Sequence, residues 1–322
     1  MTSTRGPGAA GNALVAGLAF SIAAYVLWGL LPLYFESLKP VGPYEIVAWR
    51  IVLSIAFCAI LLAVTRGWSR FAALWRDGRV VGWLALAAFL IAVNWTVYVL
   101  ATSIDEVLQA ALGYFINPIV TILLGVIFLR ERLRPLQWAA VVVSAVAIVV
   151  LTVGLGAFPW ISITLALSFG FYGLVKNRTG GRVDAISGLA FETAALTPFA
   201  IATIVLIALH TPGLDPTGVG LVYGTVNGWH TSAMSLAGVV TAVPLIFFAA
   251  GARRLPLSYV GLTQYLAPAM QFLTGVFLLG EPMPPERWAG FGIVWVAILL
   301  LVVDTVIAIA KGRRAMAPAT VE

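Results

Sequence analysis

The chain has 322 residues, of which 61% are hydrophobic and 10% charged, with a formal charge of +6. Its mean hydropathy of +1.01 lies outside the range of water-soluble domains and makes lipid the solvent for most of the chain. One cysteine and two histidines leave no disulfide framework and no metal-binding cluster, so neither a metal nor a cofactor is expected.

Long apolar stretches broken by charge, proline or glycine predict ten transmembrane helices. In chain order they cover residues 12–35, 43–64, 79–102, 107–129, 136–153, 159–175, 185–209, 233–250, 256–279 and 288–310. The first is too long for the core of a cleavable signal and is expected to stay in the membrane. Residues 1–11 and 311–322 are then tails. The connector 210–232 is the one long loop, with a short interfacial helix expected near Tyr223–Trp229.

With the N-terminus in the cytoplasm, 16 of the 19 basic residues fall in the tails and connectors on that side, Lys39 and Arg287 fall outside, and Arg50 lies within a span. Lys and Arg in short loops are retained in the cytoplasm during insertion, so this asymmetry puts both termini inside an inner, or plasma, membrane. The positive charge is thereby explained by topology, and nucleic acid is not an expected partner.

A shift of 150 residues lays 113–140 on 263–290 without a gap, matching Pro118 with Pro268, Gly125 with Gly275, Glu131 with Glu281, Pro135 with Pro285 and Trp138 with Trp288. Apolar bias alone does not reproduce Pro, Gly, Glu and Trp, so the chain reads as two copies of a five-helix unit, 12–153 and 157–310. Five crossings per unit invert the second copy. Arg130, Arg132 and Arg134 agree with that, because Gly280, Pro282 and Pro284 replace them in the outer copy. Inverted repeats are a frequent construction of secondary transporters, which rock about a midplane site, although channels use them too.

The polar groups within the spans then become candidate site residues. Arg50 in the second span and Glu192 in the seventh occupy equivalent helices, and both are expected to face the interior. At about 1.5 Å rise per residue their depths differ by roughly 8 Å. They are therefore either a buried pair that locks the halves together or a pair, or a titrating Glu192, that takes part in coupling. Asn94, Trp95 and Tyr98 cluster deep in the third span, Tyr114, Asn117 and Pro118 in the fourth, and Gln264, Tyr265 and Pro268 in the ninth. Proline frees a backbone carbonyl, tolerated at membrane depth only beside a polar neighbour or a wet cavity, so Pro118, Pro244 and Pro268 are candidate kinks. Trp28 and Tyr172 form another symmetric pair. Together these residues predict a midplane cavity for a small, partly aromatic or amphipathic solute, against the alternative of amides that merely bond across helix interfaces. Asp304 near the inner end of the last span is expected to snorkel.

On the stretches AYVLWGLLPLYF, VNWTVYVLA, LGYFINP, FLRERLRPLQW, LSFGFYGLVKN, VVTAVPLIFFAAGARRLPLS and TQYLAPAM, the sequence resembles the RarD branch of the EamA-domain transporters, in the drug/metabolite transporter superfamily. The resemblance runs from about Gly17 to Asp304. It implies a ten-helix plasma-membrane permease with two EamA repeats that moves small metabolites or drugs, with protons as a possible coupling ion. Relatives often carry His before the buried arginine, where this chain has Trp49; any proton role of that histidine would fall here on Glu192. No nucleophile and base stand at catalytic spacing, so an enzyme is not expected. No phosphate-binding GxxxxGK[ST] motif is present, so direct use of ATP is not expected either. The remaining alternatives are an uncoupled amino-acid or metabolite facilitator and a non-transport membrane subunit.

Overall fold

The computed structural model describes residues 7–129, 133–155, 158–179, 182–211, 213–214, 218, 220–252 and 263–315. Among them every regular element is helical. The helices are α1 (Pro7–Gly29), continued by the short α2 (Leu31–Glu36), α3 (Pro43–Val64), and, after the short α4 (Trp68–Leu74), α5 (Gly78–Ser103) and α6 (Val107–Leu129). They continue with α7 (Pro135–Leu155), α8 (Trp160–Thr179), α9 (Ala185–Ala208), the pair α10 (Gly228–Ser235) and α11 (Ala237–Ala252), α12 (Leu266–Leu273) and α13 (Pro285–Ala315).

Eight of these spans are long and apolar enough to cross a bilayer by themselves, and Trp160–Lys176 and Leu266–Leu278 are shorter apolar helices. The sixth predicted span is short because Lys176 and Arg178 occupy its last turn. Part of the ninth predicted span, 256–262, lies outside the described residues, as do Arg5, Arg130, Arg132, Arg253 and Arg254. Outward-facing side chains such as Phe89, Phe199, Leu209 and Phe277 are large and apolar. That is the surface expected of a bundle solvated by hydrocarbon.

Three registers fix the sense of the helices. Gln109, Gly113, Asn117 and Val120 of α6 meet Ser162, Leu165, Ala166 and Gly170 of α8 in increasing order, so these two helices run parallel. Ser21 and Trp28 of α1 meet Thr263 and Gln271 at α12 in the same manner. Leu108 lies against Gly275, whereas Phe115 shares a cleft with Tyr265 and Ala269, so α6 and α12 are antiparallel. The first helices of the two halves, α1 and α8, therefore point in opposite directions. The pairing of helices is also unchanged when the halves are exchanged: α1 packs on α11 as α8 packs on α5, and α6 on α8 as α12 on α1. Within these seams Val120 sits over Gly170, and Met270, its partner at 150 residues, sits over Gly29.

Several expected features differ in detail. The eighth span is split at Leu236 into α10 and α11. The short helix begins at Gly228 rather than near Tyr223, because Asn227 caps it through the N–H of His230 at 2.8 Å. Pro118 lies inside the continuous α6 and Pro244 inside α11. Pro268, in contrast, occupies the first turn of α12 behind a turn at Gln264 and Tyr265. A missing N–H costs nothing there, so the two repeat-related prolines act differently. Pro135 and Pro285 act alike, each opening a helix at its first residue. Pro198, inside α9, is a further interior proline.

Candidate functional site

The largest buried cluster draws on both halves: Phe35, Ile51, Trp95 and Tyr98 from the first and Ile161, Leu165 and Ala200 from the second, with Trp28, Tyr114, Phe169 and Tyr172 packed against it. Its polar centre is Asn94. The amide nitrogen donates to the carbonyl of Leu165 at 3.2 Å and to Ser168 Oγ at 3.1 Å, and the amide oxygen accepts from the Tyr114 hydroxyl at 2.9 Å. One side chain thus ties α5, α6 and α8. Asn117 donates across to the Ala166 carbonyl at 3.1 Å, so its amide belongs to the α6–α8 seam. This is the interface role expected as the alternative to cavity lining.

Arg50 is buried, at 5% exposure, and its Nε donates to Thr241 Oγ1 at 2.6 Å. Its guanidinium lies 4.5 Å from the ring centre of Trp95 and 5.7 Å from that of Phe35. Aromatic faces attract a cation most strongly where water is absent. What lets Thr241 arrive is Gly238, one turn earlier on α11. A Cβ at Gly238 would stand 2.4 Å from the carbonyl oxygen of Leu53 in α3, so only glycine permits this approach of the two backbones.

Arg50 and Glu192 do not meet in this conformation. Glu192, at 1% exposure, accepts from Lys176 Nζ at 2.7 Å and from the Tyr172 hydroxyl at 3.1 Å. Lys176 ends α8 and keeps its ammonium within reach of the bundle end, as a snorkelling side chain does. Rings run between the two charges: Tyr98 to Tyr114 at 5.7 Å, Tyr114 to Phe169 at 6.0 Å and Phe169 to Tyr172 at 5.9 Å between centres. Trp28 packs against the same cluster, with Phe248 5.8 Å from it between ring centres, and its carbonyl accepts from Gln271. Tyr265 belongs to the second cluster, with Phe115, Phe272 and Phe291, and Gln264 is half-buried in the turn before α12. The structure therefore gathers Asn94, Tyr98, Tyr114, Tyr172 and Trp28 with Arg50, and separates Tyr265 from them.

Two carboxylates at one end of the bundle were not singled out as site residues from the sequence. Glu45, at 1% exposure, accepts from the backbone N–H groups of Val222 and Tyr223 at 2.9 to 3.1 Å, and Trp49 stacks on Tyr223 at 4.5 Å. Glu281 accepts from the N–H groups of Val107 and Leu108 at 2.7 and 3.0 Å, capping α6 from the other half. Burial pushes the Glu281 carboxyl up to about 7 against those two bonds, which favour the anion. Their signals were the acidic residue in the first turn of α3 and the Glu shared by both repeats. Arg287–Glu106 at 2.8 Å and Lys39–Asp105 at 3.3 Å join the same end. At the other end Asp304 pairs with Arg134, as a snorkelling carboxylate would. Glu45→Gln is expected to lower stability by about 1 to 3 kcal/mol, because the buried N–H groups lose a charged acceptor. A lower thermal midpoint, with faster thiol labelling of a Thr225→Cys reporter, is the measurement.

Among the described residues no group of three or more His, Cys, Asp or Glu side chains is arranged to hold a metal ion. A family model described as the EamA-like transporter family matches residues 15–153 and 159–303, one copy in each half. The chain is 43% identical over 302 residues to Protein RarD of Streptomyces exfoliatus, covering 94% of this chain and 91% of that one. It is 37% identical to the uncharacterized transporter YojE of Bacillus subtilis, covering 88% and 92%. It is 31% identical to the chloramphenicol-sensitive protein RarD of Pseudomonas aeruginosa, again covering 88% and 92%. A solved crystal structure shares the fold with a TM-score of 0.58 at 18% identity, covering 91% of this chain and 99% of its own. With two matched EamA copies, transporter relatives along nearly its whole length and a row of apolar helices, the chain belongs to the EamA-like transporter family and is a RarD-like multi-pass membrane transporter.

Proposed function

We propose that this chain is a secondary transporter of small organic metabolites or drugs in the plasma membrane, acting as an exporter by alternating access around the chamber formed by Arg50, Asn94, Tyr98 and Tyr114. The observation that carries the reading is that both halves build this buried polar and aromatic cluster, α3, α5 and α6 from one and α8 and α11 from the other. Rocking of the halves then changes which side of the membrane the chamber faces. The opposed senses of α1 and α8 support inverted repeats, and the basic residues support cytoplasmic termini with ten crossings. The description of the Pseudomonas aeruginosa relative as a chloramphenicol-sensitive protein supports a drug or metabolite as solute.

Reporter fusions after Leu129 and after Leu279 are expected to lie in opposite compartments; the same compartment for both removes the inverted relation. The solute is to be found by comparing metabolite export and antibiotic tolerance in cells with and without the protein. Purified protein in liposomes then tests the mechanism. Accumulation of that solute under an imposed pH gradient supports proton coupling. A second reading, an uncoupled facilitator, draws support from Glu192, whose charge is already balanced by Lys176; it predicts equal movement with and without the gradient.

A further inference from the structure

Among the described residues Arg50 is a buried cation without a counter-ion. Among the described residues no carboxylate lies within ion-pair distance of it, the six ion pairs being elsewhere. Glu192 is held by Lys176, and Glu45, on the same helix as Arg50, is held by the backbone of Val222 and Tyr223. The Phe35 ring lies 5.7 Å from the Arg50 guanidinium and 6.0 Å from the Tyr98 ring, which puts the phenol in the same surroundings. Trp95 and Phe35 soften the cost of burial, yet Nη1 of Arg50 has no hydrogen-bond partner, and neither does the hydroxyl of Tyr98. Both side chains are more than nine-tenths buried. Two strong donors buried without a protein partner, one of them charged, each carry a desolvation cost that an apolar solute could not relieve.

We propose that Arg50 and Tyr98 form an anion subsite and that the transported solute is an organic carboxylate. The carboxylate accepts from Arg50 Nη1 and the Tyr98 hydroxyl, replacing two unmet donors by charge-assisted bonds. The apolar part of the solute lies along the rings of Tyr114, Phe169 and Tyr172, so an aromatic acid fits best. An ammonium group on the solute would find no free carboxylate beside Arg50, which disfavours zwitterions. This inference rests on the transporter reading above for the word solute, but the subsite itself is tested by equilibrium binding.

The full chain in lipid nanodiscs is titrated with benzoate, phenylacetate and indole-3-acetate, with the amide of each, and with sodium chloride at matched ionic strength. Calorimetry and thermal midpoint are the readouts. At least one acid is expected to bind and raise the midpoint, with its amide at least about tenfold weaker. Tyr98→Phe is expected to weaken the acid several-fold and the amide less, because a hydrogen bond to a carboxylate is stronger than one to an amide carbonyl, and Arg50→Gln to abolish the preference for the acid. Tyr98→Phe removes one unpartnered oxygen and is expected to fold, so the test survives a misfolded Arg50 variant. Equal binding of acid and amide, an equal effect of chloride, or no binding of any acid to the monodisperse protein overturns the subsite. Liposome uptake separates the two ideas. Binding without movement upholds the subsite and fails the transporter reading, whereas movement of the neutral amides with no preference for the acids does the reverse.

Discussion

Glu192→Gln is expected to reduce pH-gradient-driven transport to the level of empty liposomes while solute exchange without a gradient continues. Glu192 is at 1% exposure and bonds to Lys176 and Tyr172 at 2.7 and 3.1 Å. Glutamine has nearly the same shape, and its carbonyl oxygen still accepts from either donor, so packing at α8 and α9 is kept. What it loses is the ability to take up and release a proton. Leaving a buried partner charge alone costs about 3 to 5 kcal/mol when that charge has no access to water. Lys176 is 32% exposed, so it reaches solvent and the cost falls well below that range. A folded protein with unimpaired exchange and no uphill movement is therefore the expected phenotype. Undiminished accumulation under the gradient would remove Glu192 from coupling and favour the facilitator.

The second large effect falls on Gly238. Gly238→Ala places a methyl group 2.4 Å from the Leu53 carbonyl oxygen and 2.9 Å from the Ser54 nitrogen, both backbone atoms that cannot rotate aside. Overpacking of this kind costs about 1 to 3 kcal/mol, and more where two helices must separate to relieve it. Separation of α11 from α3 also draws Thr241 away from Arg50, breaking a bond of 2.6 Å and leaving a second guanidinium nitrogen unmet. The expected result is a fall of several degrees in thermal midpoint together with weakened solute binding. Gly292→Ala, where a Cβ meets nothing within 4 Å, serves as the control with little change in either. If both variants behave alike, the close approach at Leu53 is not what positions Thr241.

Much of the fold was legible because its signals are one-dimensional. Length of apolar run and a 150-residue repeat need no knowledge of neighbours, and Pro135 and Pro285 begin their helices where the repeat places them. The buried polar cluster was legible in part: a polar side chain at mid-depth faces inward, and Asn94, Tyr98 and Tyr114 are brought together. Partner choice was not legible. The arithmetic that brought Arg50 and Glu192 to similar depth fixes height along the membrane normal but says nothing about azimuth. Arg50 turned to Thr241 on α11, and Glu192 to Lys176 at the end of the adjoining α8. Glu45 escaped notice because its partners are backbone groups 177 and 178 residues away, and no side-chain pattern announces a backbone donor. Pro268 was read as the twin of Pro118 from alignment alone, whereas a proline's effect depends on whether a turn precedes it.

Glu281 carries a mechanical implication. Because it supplies the acceptors for the first N–H groups of α6, the connector around Gly280 and Pro282 is riveted to the start of a helix from the opposite half. Any gating motion that pried these two apart would strand amide hydrogens and a carboxylate in a greasy cleft, so the pair travels together as one strut. In the proposed rocking cycle, widening at that mouth would instead come from the opposite rim, where the 220–227 segment is held by Glu45, by Trp49 against the Tyr223 ring and by Tyr223 on Ser235.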